Sequence, residues 1–349
     1  MTAFKVASHS MTDHARQNQS TTPPMPAVIA PLSKPDLLSI VDLSRAEIEM
    51  VFATAASVKA DIGPYNRALA GQSVIMLFEK ASLRTRVTFE VGVFRLGGQA
   101  IYFDHSSSRI GEREAIKDYG ANLDRWVHGI VARVYRHVVL EELAAAARVP
   151  VINALSEKSH PCQALADLFT LREHLGDLKG RSLAYIGDGN NVCRSLMLAS
   201  ATLGVHMTVI TPEGYGPGEE AAALARSLGA SSGARLTLSH DPGAVAGSDA
   251  VYTDTWVSMG AESEAAERAA AFAPFQVNEA LMKRAGSSAL FMHCLPAKRG
   301  VEVTDDVVDD PYSIVLDQAE NRLHIQNALL LHLLAPGFRP GPHPAGGPS

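Results

Sequence analysis

The chain has 349 residues, of which 46% are hydrophobic and 19% are charged, and its formal net charge is −6 at pH 7. This length supports two ordinary domains with sizeable cores, and the composition is that of a globular protein. The slightly acidic balance argues against a nucleic-acid surface or an anionic membrane as the main partner and favours small phosphorylated ligands held at local anion sites.

The sequence carries no mark of export or membrane insertion. It has no uninterrupted apolar run of about 18 residues, and its first residues lack the basic start and apolar core of a signal peptide. We therefore expect a cytoplasmic protein. The odd number of cysteines, Cys162, Cys193 and Cys294, indicates reduced thiols rather than a disulfide framework.

Both ends of the chain have compositions typical of disorder. Residues 1–33 are rich in Ser, Thr, Gln, Pro and His and show no helical or strand periodicity. A mitochondrial transit peptide is the alternative there, but Lys5 and Arg16 are the only basic residues of the stretch, which argues against it. Residues 335–349 form a Pro/Gly-rich tail that is also expected to be disordered.

Short apolar runs alternate with amphipathic segments of helical length between these ends. Such alternation is typical of parallel strands joined by helices. It predicts an α/β fold with two domains, each a parallel sheet flanked by helices. The strands are expected near residues 73–78, 100–103, 129–134, 150–154, 183–186, 206–210, 250–253, 289–292 and 314–316.

A helix at residues 161–175 is predicted to join the two domains. Pro161 lies in its first turn, and Gly176 and Gly180 follow its end, so both ends carry residues favoured at those positions. The apolar face of a last helix predicts that this helix packs back on the first domain. The predicted segments are a first domain at 34–170, a second domain at 171–317 and the last helix at 318–334.

Ser82, Arg84, Thr85 and Arg86 follow the first apolar run, where a short loop leads into an amphipathic helix. This position brings a hydroxyl, guanidinium groups and the free N–H groups of a helix start to one point, which is how proteins hold a phosphate. The same residues fit an ordinary helix start, with Ser82 as the N-cap and the arginines in solvent. The motif alone leaves both interpretations open.

His160 and Gln163 open the bridging helix, and Pro161 at its first position aims them at the cleft between the domains. A helix start favours negative charge, so a carbonyl oxygen or an oxyanion fits there. A capping histidine with an ordinary glutamine is the alternative. Arg322 begins the last helix, where it is either a surface charge or a residue that reaches the cleft.

The segment GDGNN at 187–191 follows a predicted strand and leads into a helix, as a dinucleotide fingerprint does. Val192, however, stands where the third glycine of that fingerprint belongs. Asn190 and Asn191 suit the carboxylate or amine of a small ligand better than a pyrophosphate. A nicotinamide dehydrogenase, with Glu213 on the ribose, remains an alternative, as does a plain turn of Gly, Asp and Asn.

Asp254 follows another predicted strand and therefore lies at the carboxyl end of the second sheet, where open α/β folds bind ligands. Its carboxylate offers a negative charge to an ammonium group. Ser258 and Met259 add a hydroxyl and backbone groups. The alternative is that Asp254 caps the next helix.

His293 and Cys294, taken with His160 and Cys162, raise the question of a zinc site. Adjacent residues of an extended segment face opposite sides, so tetrahedral ligation is awkward and we expect no metal. Burial as a small apolar residue is the ordinary role of a cysteine such as Cys294.

The order of the motifs resembles the ornithine carbamoyltransferases of the aspartate/ornithine carbamoyltransferase family. The similarity extends from about residue 35 to residue 334 and therefore covers nearly all of the predicted ordered chain. Its motifs are SLRTR at 82–86, RIGERE at 109–114, VARVYRH at 131–137, HPCQ at 160–163, GDGNN at 187–191, DTWVSMG at 254–260, HCLP at 293–296 and AENRLH at 319–324.

This resemblance implies transfer of a carbamoyl group from carbamoyl phosphate to the δ-amine of ornithine, which yields citrulline and phosphate. It implies a homotrimer with active sites between subunits and no metal or organic cofactor. It also implies catalytic roles for Arg84, His160, Cys294 and Arg322, and a loop with Arg109 that reaches the neighbouring subunit's site. The implied carbamoyl phosphate site is Ser82, Leu83, Arg84, Thr85, Arg133, His160, Gln163, Cys294, Leu295 and Arg322, and the implied ornithine site is Asn191, Asp254, Ser258 and Met259.

Leu83 departs from the family pattern, which has Thr at this position. Family branches that act on N-acylated ornithine also carry Leu there, so the substitution leaves an acylated amine as an alternative substrate. Asp254 favours free ornithine, because an acylated α-amine carries no positive charge. Aspartate carbamoyltransferases have HPLP where this chain has HCLP at 293–296. A phosphate-sensing binding module on the same fold is the non-enzymatic alternative.

Overall fold

The computed structural model describes residues 25–257 and 262–341. Within them the chain forms two parallel sheets flanked by helices, which confirms the predicted two-domain α/β class. Ser258 and Met259 lie outside the described residues, as do most of the two predicted disordered ends.

Eight strands of the described residues follow the predicted apolar runs closely. The first sheet contains β1 (Ser73–Phe78), β2 (Gln99–Asp104), β3 (Gly129–Arg133) and β4 (Val151–Leu155), and the second contains β5 (Ser182–Ile186), β6 (His206–Ile210), β7 (Leu236–Ser239), β8 (Ala250–Thr253) and β9 (Leu290–His293).

The helices connect these strands and cover the sheets. They are α1 (Arg45–Ala60), α2 (Leu83–Arg95), α3 (Ile116–Leu123), α4 (His137–Ala146), α5 (Pro161–Leu175), α6 (Asn191–Leu203), α7 (Glu219–Ser232), α8 (Ala265–Phe272), α9 (Glu279–Ala285), α10 (Asp305–Val308) and α11 (Val315–Leu334), with short 3₁₀ turns at Ile40–Asp42, Gly63–Tyr65, Pro242–Val245, Glu262–Glu264 and Ala273–Phe275.

The first sheet has the strand order β2, β1, β3, β4, and all of its pairs are parallel. Side chains alternate between its two faces: Val74, Met76 and Phe78 join one core cluster, whereas Ile75 and Leu77 join another. Burial on both faces explains why β1 has a continuous apolar run instead of an alternating one.

The second sheet has the order β7, β6, β5, β8, β9 and is also parallel. The sequence pattern missed β7, because this edge strand is short and half-exposed and lacks an apolar run. The strand expected at 314–316 is wrong. Ser313 forms an isolated bridge to Phe291, and Val315 already begins α11, because the segment turns into the helix after one residue pair.

The bridging helix α5 is buried along most of its length, from Pro161 to Leu171. It packs against α6 of the second domain and against α11, which in turn packs on α1 and α2 of the first domain. This confirms the predicted return of the last helix. Gly92 permits the close approach of α2 and α11, since a Cβ at this glycine would lie 2.2 Å from the Asn327 Oδ1 atom.

The two ends of the described chain pack together. Ile29 and Leu32 are buried, the Ile29 N–H donates to the Phe338 carbonyl at 2.8 Å, and the Gly337 N–H donates to the Ile29 carbonyl at 2.7 Å. The prediction of disorder for residues 1–33 and 335–349 is therefore corrected for residues 25–33 and 335–341, which are ordered. Their order comes from mutual pairing, which neither segment's own composition reveals.

None of the helices in the described part of the chain is long and apolar enough to cross a membrane.

Candidate active site

A cavity of about 400 Å³ lies at the carboxyl ends of both sheets, between the two domains. We call it the cleft. It contains every described residue of the predicted substrate sites, from both domains and from α11. Its lining is Lys80, Ala81, Ser82, Leu83, Arg84, Thr85, Arg133, Leu155, His160, Gln163, Asn190, Asn191, Val192, Asp254, Thr255, Val257, Cys294, Leu295, Pro296 and Arg322.

Ser82 is both the N-cap of α2 and a lining residue of the cleft. Its Oγ atom accepts the Thr85 N–H at 3.4 Å and lies 3.0 Å from the Thr85 Oγ1 atom. The capping and ligand-binding interpretations of the sequence are therefore compatible. The cap fixes the first turn of α2, and that turn presents Arg84 and Thr85 to the cleft.

Three guanidinium groups, those of Arg84, Arg133 and Arg322, converge on the cleft. Within residues 25–257 and 262–341 none of them forms an ion pair with a carboxylate. Burial, reinforced by the positive charges of Arg322 and Arg84, lowers the pKa of Arg133 to about 10. Uncompensated positive charge of this kind is what an anion site requires.

Arg322 reaches the cleft from the opposite end of the chain, on α11. It is 4% exposed, and its guanidinium donates to the Gln163 Oε1 atom and, at 2.7 Å, to the Thr85 Oγ1 atom. Of the two predicted alternatives for Arg322, the structure shows the one in which it reaches the cleft. It thereby connects the start of α2 with the start of α5.

Asp167 and Gln318 lie behind this lining and were missed by the sequence reasoning. The Asp167 Oδ1 atom accepts from the Gln163 amide at 2.7 Å and from the Gln318 amide at 2.6 Å. The Gln318 side-chain oxygen, Oε1, accepts the His293 N–H at 3.0 Å. Burial raises the pKa of Asp167 to about 7. The available signal was a carboxylate within the apolar stretch 164–169 of α5, four residues after Gln163.

His160 enters the cleft as a neutral imidazole. Its pKa lies well below the ordinary value because the ring is buried, and the positive charges of Arg322 and Arg133 lower it further. The His160 side chain does not cap α5, and its backbone N–H donates to the Ser195 Oγ atom at 2.8 Å. A neutral ring held in this way is suited to hydrogen bonding and not to carrying positive charge.

The GDGNN turn does not form a dinucleotide site. A Cβ at Gly189 would lie 2.3 Å from the Gly216 carbonyl carbon, so the chain itself occupies the space beside this glycine. The Asn190 Oδ1 atom accepts the N–H groups of Val192 and Cys193, at 2.9 and 3.1 Å, and thereby occupies the first N–H groups of α6. Because a pyrophosphate needs those N–H groups, the dehydrogenase alternative has no site here.

Asp254 provides the negative charge of the cleft. Its carboxylate accepts from the Asn190 amide at 2.8 Å, from the Thr255 N–H at 2.7 Å and from the Cys294 Sγ atom at 3.0 Å. Burial and the neighbouring Asp254 charge raise the pKa of Cys294 well above its ordinary value, so this residue is a thiol and a hydrogen-bond donor. Asn191 lines the cleft nearby, and its amide donates to the Ser156 carbonyl at 2.6 Å.

One expectation about His293 and Cys294 needs correction. The ligand atoms of Asp254, His293 and Cys294 lie within 4.8 Å of one another, so adjacency along the chain does not separate them. Even so, these atoms already have other contacts. The His293 Nδ1 atom accepts the Leu295 N–H at 2.8 Å, the Nε2 atom lies 3.4 Å from Glu302, and the Cys294 thiol donates to Asp254. We assign no metal to this group.

Arg109 does not line the cleft of its own chain. It is exposed, and its guanidinium lies 4.5 Å from the centre of the Tyr135 ring, beside a second cavity. The buried Glu79 carboxylate accepts the N–H groups of Ile110 and Tyr135, at 3.0 and 2.8 Å, and so fixes the base of this loop. Arg109 therefore lines a cavity other than the cleft of its own chain.

Two family models match the chain. Residues 35–173 match the carbamoyl-P binding domain of aspartate/ornithine carbamoyltransferase, and residues 179–333 match the Asp/Orn binding domain. An ornithine carbamoyltransferase from Shewanella oneidensis is 49% identical over 85% of this chain and 99% of that protein. One from Thermococcus kodakarensis is 48% identical over 87% of this chain and 97% of its own length.

Solved structures agree with this relationship. The ornithine carbamoyltransferase from Pyrococcus furiosus has a TM-score of 0.84 and 49% identity, over 88% of this chain and 98% of that chain. The enzyme from Thermus thermophilus has a TM-score of 0.78 and 43% identity, over 86% of this chain and 99% of its own. Together with the two family models, these matches show that the chain belongs to the aspartate/ornithine carbamoyltransferase family.

Proposed function

We propose that the protein is an ornithine carbamoyltransferase, which transfers the carbamoyl group of carbamoyl phosphate to the δ-amine of L-ornithine and releases citrulline and phosphate. One observation carries this proposal. The cleft is lined from the first domain and α11 by the guanidinium groups of Arg84, Arg133 and Arg322, which form no ion pair with a carboxylate of the described residues, and from the second domain by the Asp254 carboxylate. A dianionic acyl phosphate and an amino acid with a positive charge match this division.

The first-domain side is suited to carbamoyl phosphate. The Ser82 and Thr85 hydroxyls and the guanidiniums of Arg84 and Arg133 would hold the phosphate oxygens, since each offers donors to an anion. Arg84, Thr85 and His160 would contact the carbamoyl oxygen. Leu83 has no polar side chain, so its contribution would be its backbone N–H.

The second-domain side is suited to ornithine. Asp254 would attract the α-ammonium group, and Asn191, whose side chain already faces the cleft, would contact the α-carboxylate. Ser258 and Met259 are proposed to complete this side, although they lie outside the described residues. Cys294 and the Leu295 backbone would lie beside the reacting carbon, where the thiol acts as a hydrogen-bond donor and not as a nucleophile.

The reaction forms one bond and breaks one. The δ-amine has an ordinary pKa near 10.4, so it must lose a proton before its lone pair attacks the carbamoyl carbon. The carbonyl oxygen then gains negative charge, and as the carbonyl re-forms, the bond to the phosphate oxygen breaks. The attacking nitrogen gives up its surplus proton to the departing phosphate, which leaves as hydrogen phosphate. Arg84, Thr85, His160 and Arg322 would stabilise this charge more strongly than the neutral carbonyl, as catalysis requires.

A homotrimer with shared sites is part of the proposal. Five large apolar side chains at this edge of the first sheet are exposed, three on α2 and two on the edge strand β2, and association of chains would cover such residues. They are Leu83, Val87, Phe94, Ile101 and Phe103, which are 76%, 44%, 78%, 38% and 49% exposed. In the proposed trimer the Arg109 loop would reach a neighbouring cleft.

Cytoplasmic location also stays a prediction.

The decisive assay incubates the purified protein with carbamoyl phosphate and ornithine and measures citrulline. We expect citrulline and phosphate in equal amounts. Parallel reactions contain N-acetylornithine, N-succinylornithine, putrescine or aspartate. Turnover with one of these amines alone would refute ornithine as substrate, and binding of carbamoyl phosphate without turnover of any amine would support a phosphate-sensing module instead. Light scattering of the same sample, expected at three times the chain mass of 37.2 kDa, tests the trimer.

A further inference from the structure

The buried carboxylate of Asp167 organises two amide groups that face different parts of the site. The Gln163 and Gln318 amides both donate to its Oδ1 atom. Asp167 and Gln318 are fully buried, and Gln163 is 1% exposed. Neither Asp167 nor Gln318 lines the cleft, whereas Gln163 does. Asp167 therefore acts on a ligand through the residues that it holds, and Gln163 is the one of the two amides that lines the cleft.

The partners of the Gln163 amide at its two ends have opposite hydrogen-bonding character. Arg322 on the cleft side has only donors, so the atom facing it must be the oxygen. Asp167 on the far side accepts, so the atom facing it must be the nitrogen. The orientation of this amide is thus set by chemistry at both ends and does not depend on how oxygen and nitrogen were assigned.

The consequence is that the cleft receives an acceptor from Gln163 and not a donor. A carbonyl oxygen has two lone pairs, and Arg322 uses one of them, so the other is free to accept from a ligand. The Asp167 Oδ2 atom accepts no hydrogen bond of normal geometry from the described residues, although the Tyr252 hydroxyl is near enough to lower the Asp167 pKa. A proton on Oδ2 would leave the Oδ1 contacts intact. The arrangement therefore holds whether the carboxyl group is charged or neutral.

We propose that Asp167 is a positioning residue that fixes the Gln163 amide with its oxygen toward the cleft, and so selects a carbamoyl group over an acetyl group of the same shape. This inference rests on the proposed function. Carbamoyl phosphate carries an NH₂ group where acetyl phosphate carries a methyl group. The Gln163 oxygen, held toward the cleft, accepts a hydrogen bond from the NH₂ group. A methyl group donates none, so the second lone pair of this buried oxygen has no donor.

The test compares acetyl phosphate, measured as a competitive inhibitor, with carbamoyl phosphate, measured as substrate. The readout is the ratio of the acetyl phosphate Ki to the carbamoyl phosphate KM. In Asp167→Leu the Gln163 nitrogen loses its acceptor, and only the Arg322 contact still orients the amide. The oxygen is then held less firmly toward the cleft, so we expect this ratio to fall about 10-fold. In Asp167→Asn an amide oxygen replaces Oδ1, and the ratio should stay within about 3-fold of the parent value.

Gln318→Leu is the matched control, because it removes the other amide from Asp167 and leaves the contact to Gln163. Its ratio should equal that of the parent protein, whatever happens to its stability. A folded Asp167→Leu protein with the parent ratio would overturn the inference, as would equal weakening of both phosphates, which is the result of a merely structural role. An Asp167→Asn ratio as low as that of Asp167→Leu would overturn it as well.

Asp167→Ala covers the case in which the leucine variant does not fold. The space left by the side chain admits water, and water both donates and accepts, so it does not fix the amide. The expected ratio again falls about 10-fold. Failure of this inference is distinguishable from failure of the proposed function: parent protein that makes no citrulline refutes the function, whereas active parent protein with an unchanged ratio in Asp167→Ala refutes the role of Asp167.

Discussion

The two sides of the cleft differ in how far the chain itself satisfies their charges. The guanidiniums of Arg84 and Arg133 have no carboxylate partner in the described part of the protein, whereas the Asp254 carboxylate already accepts three hydrogen bonds. An anion entering the first side meets uncompensated charge. A cation that enters the second side meets the Asp254 carboxylate, which hydrogen bonds from the protein already stabilise. We therefore expect substitutions on the first side to cost more.

Arg84→Ala gives the largest expected effect. It removes a donor to the phosphate and to the charge that develops on the carbamoyl oxygen, so kcat/KM for carbamoyl phosphate should fall about 10³-fold. Arg95→Ala, on the exposed last turn of the same helix, is the matched control and should retain parent activity. Steady-state citrulline formation measures both variants. Near-parent rates in Arg84→Ala would remove the phosphate assignment.

Asp254→Asn should have a smaller effect, confined to the amine. The asparagine keeps the size of the side chain and loses its negative charge, so the KM for ornithine should rise about 10- to 100-fold. The KM for carbamoyl phosphate should change less than about 3-fold. Equal increases in both KM values would contradict the division of the cleft into two oppositely charged sides.

Asp167, which lies behind the boundary between the two sides, should make stability depend on pH. Its pKa is raised from 3.8 to about 7 in the folded protein, so between these values the native state binds a proton that the unfolded state has lost. Stability contributed by this group is complete below pH 4 and is lost as the pH rises toward 7. Relative to Asp167→Asn, the parent should lose up to about 1.4 kcal/mol per pH unit in this window.

Urea unfolding of the two proteins at several pH values between 4 and 7 measures this difference. Because every other titrating group is common to both, subtraction isolates Asp167. Parallel curves for the parent and Asp167→Asn would show that the carboxyl group titrates near its ordinary value.

Leu83→Thr should give the smallest effect. The Leu83 side chain is 76% exposed, and the proposed contact uses its backbone, so restoring the hydroxyl found in the family pattern should change kcat/KM for ornithine less than about 3-fold. The ratio of ornithine to N-acetylornithine turnover should also remain unchanged. A change of preferred amine would place substrate choice on the first side of the cleft instead of at Asp254.

Local patterns predicted most of the elements but failed where order comes from distant partners. The apolar runs predicted eight of the nine strands of the described residues, most of them buried and apolar throughout. The edge strand β7 was missed because Leu236 and Leu238 alternate with polar residues, whereas the exposed edge strand β2 keeps an apolar run. Ile29 and Phe338 were assigned to disordered ends because each is ordered by the other, 309 positions away in the chain.

The motifs also identified the residues that line the cleft more completely than the residues that lie behind them. Ser82, Arg84 and His160 stand at helix starts, where local sequence indicates a binding role. Lys80 lines the cleft and was not singled out, although it stands two residues before Ser82, where the first motif begins. Asp167 carried only the weak signal of a carboxylate in an apolar stretch, Gln318 stands among other polar residues, and the partners of both are not evident from spacing.

By itself the sequence determined the fold class, the family and the side chains available for chemistry, because buried periodicity and ordered motifs are local properties. Tertiary structure alone decided how those side chains combine. It joined Arg322 to Gln163 and Thr85 across the whole chain, kept Cys294 a thiol beside Asp254, and made His160 neutral through burial near two cations. Protonation and amide orientation depend on neighbours in space, and only folding provides those neighbours.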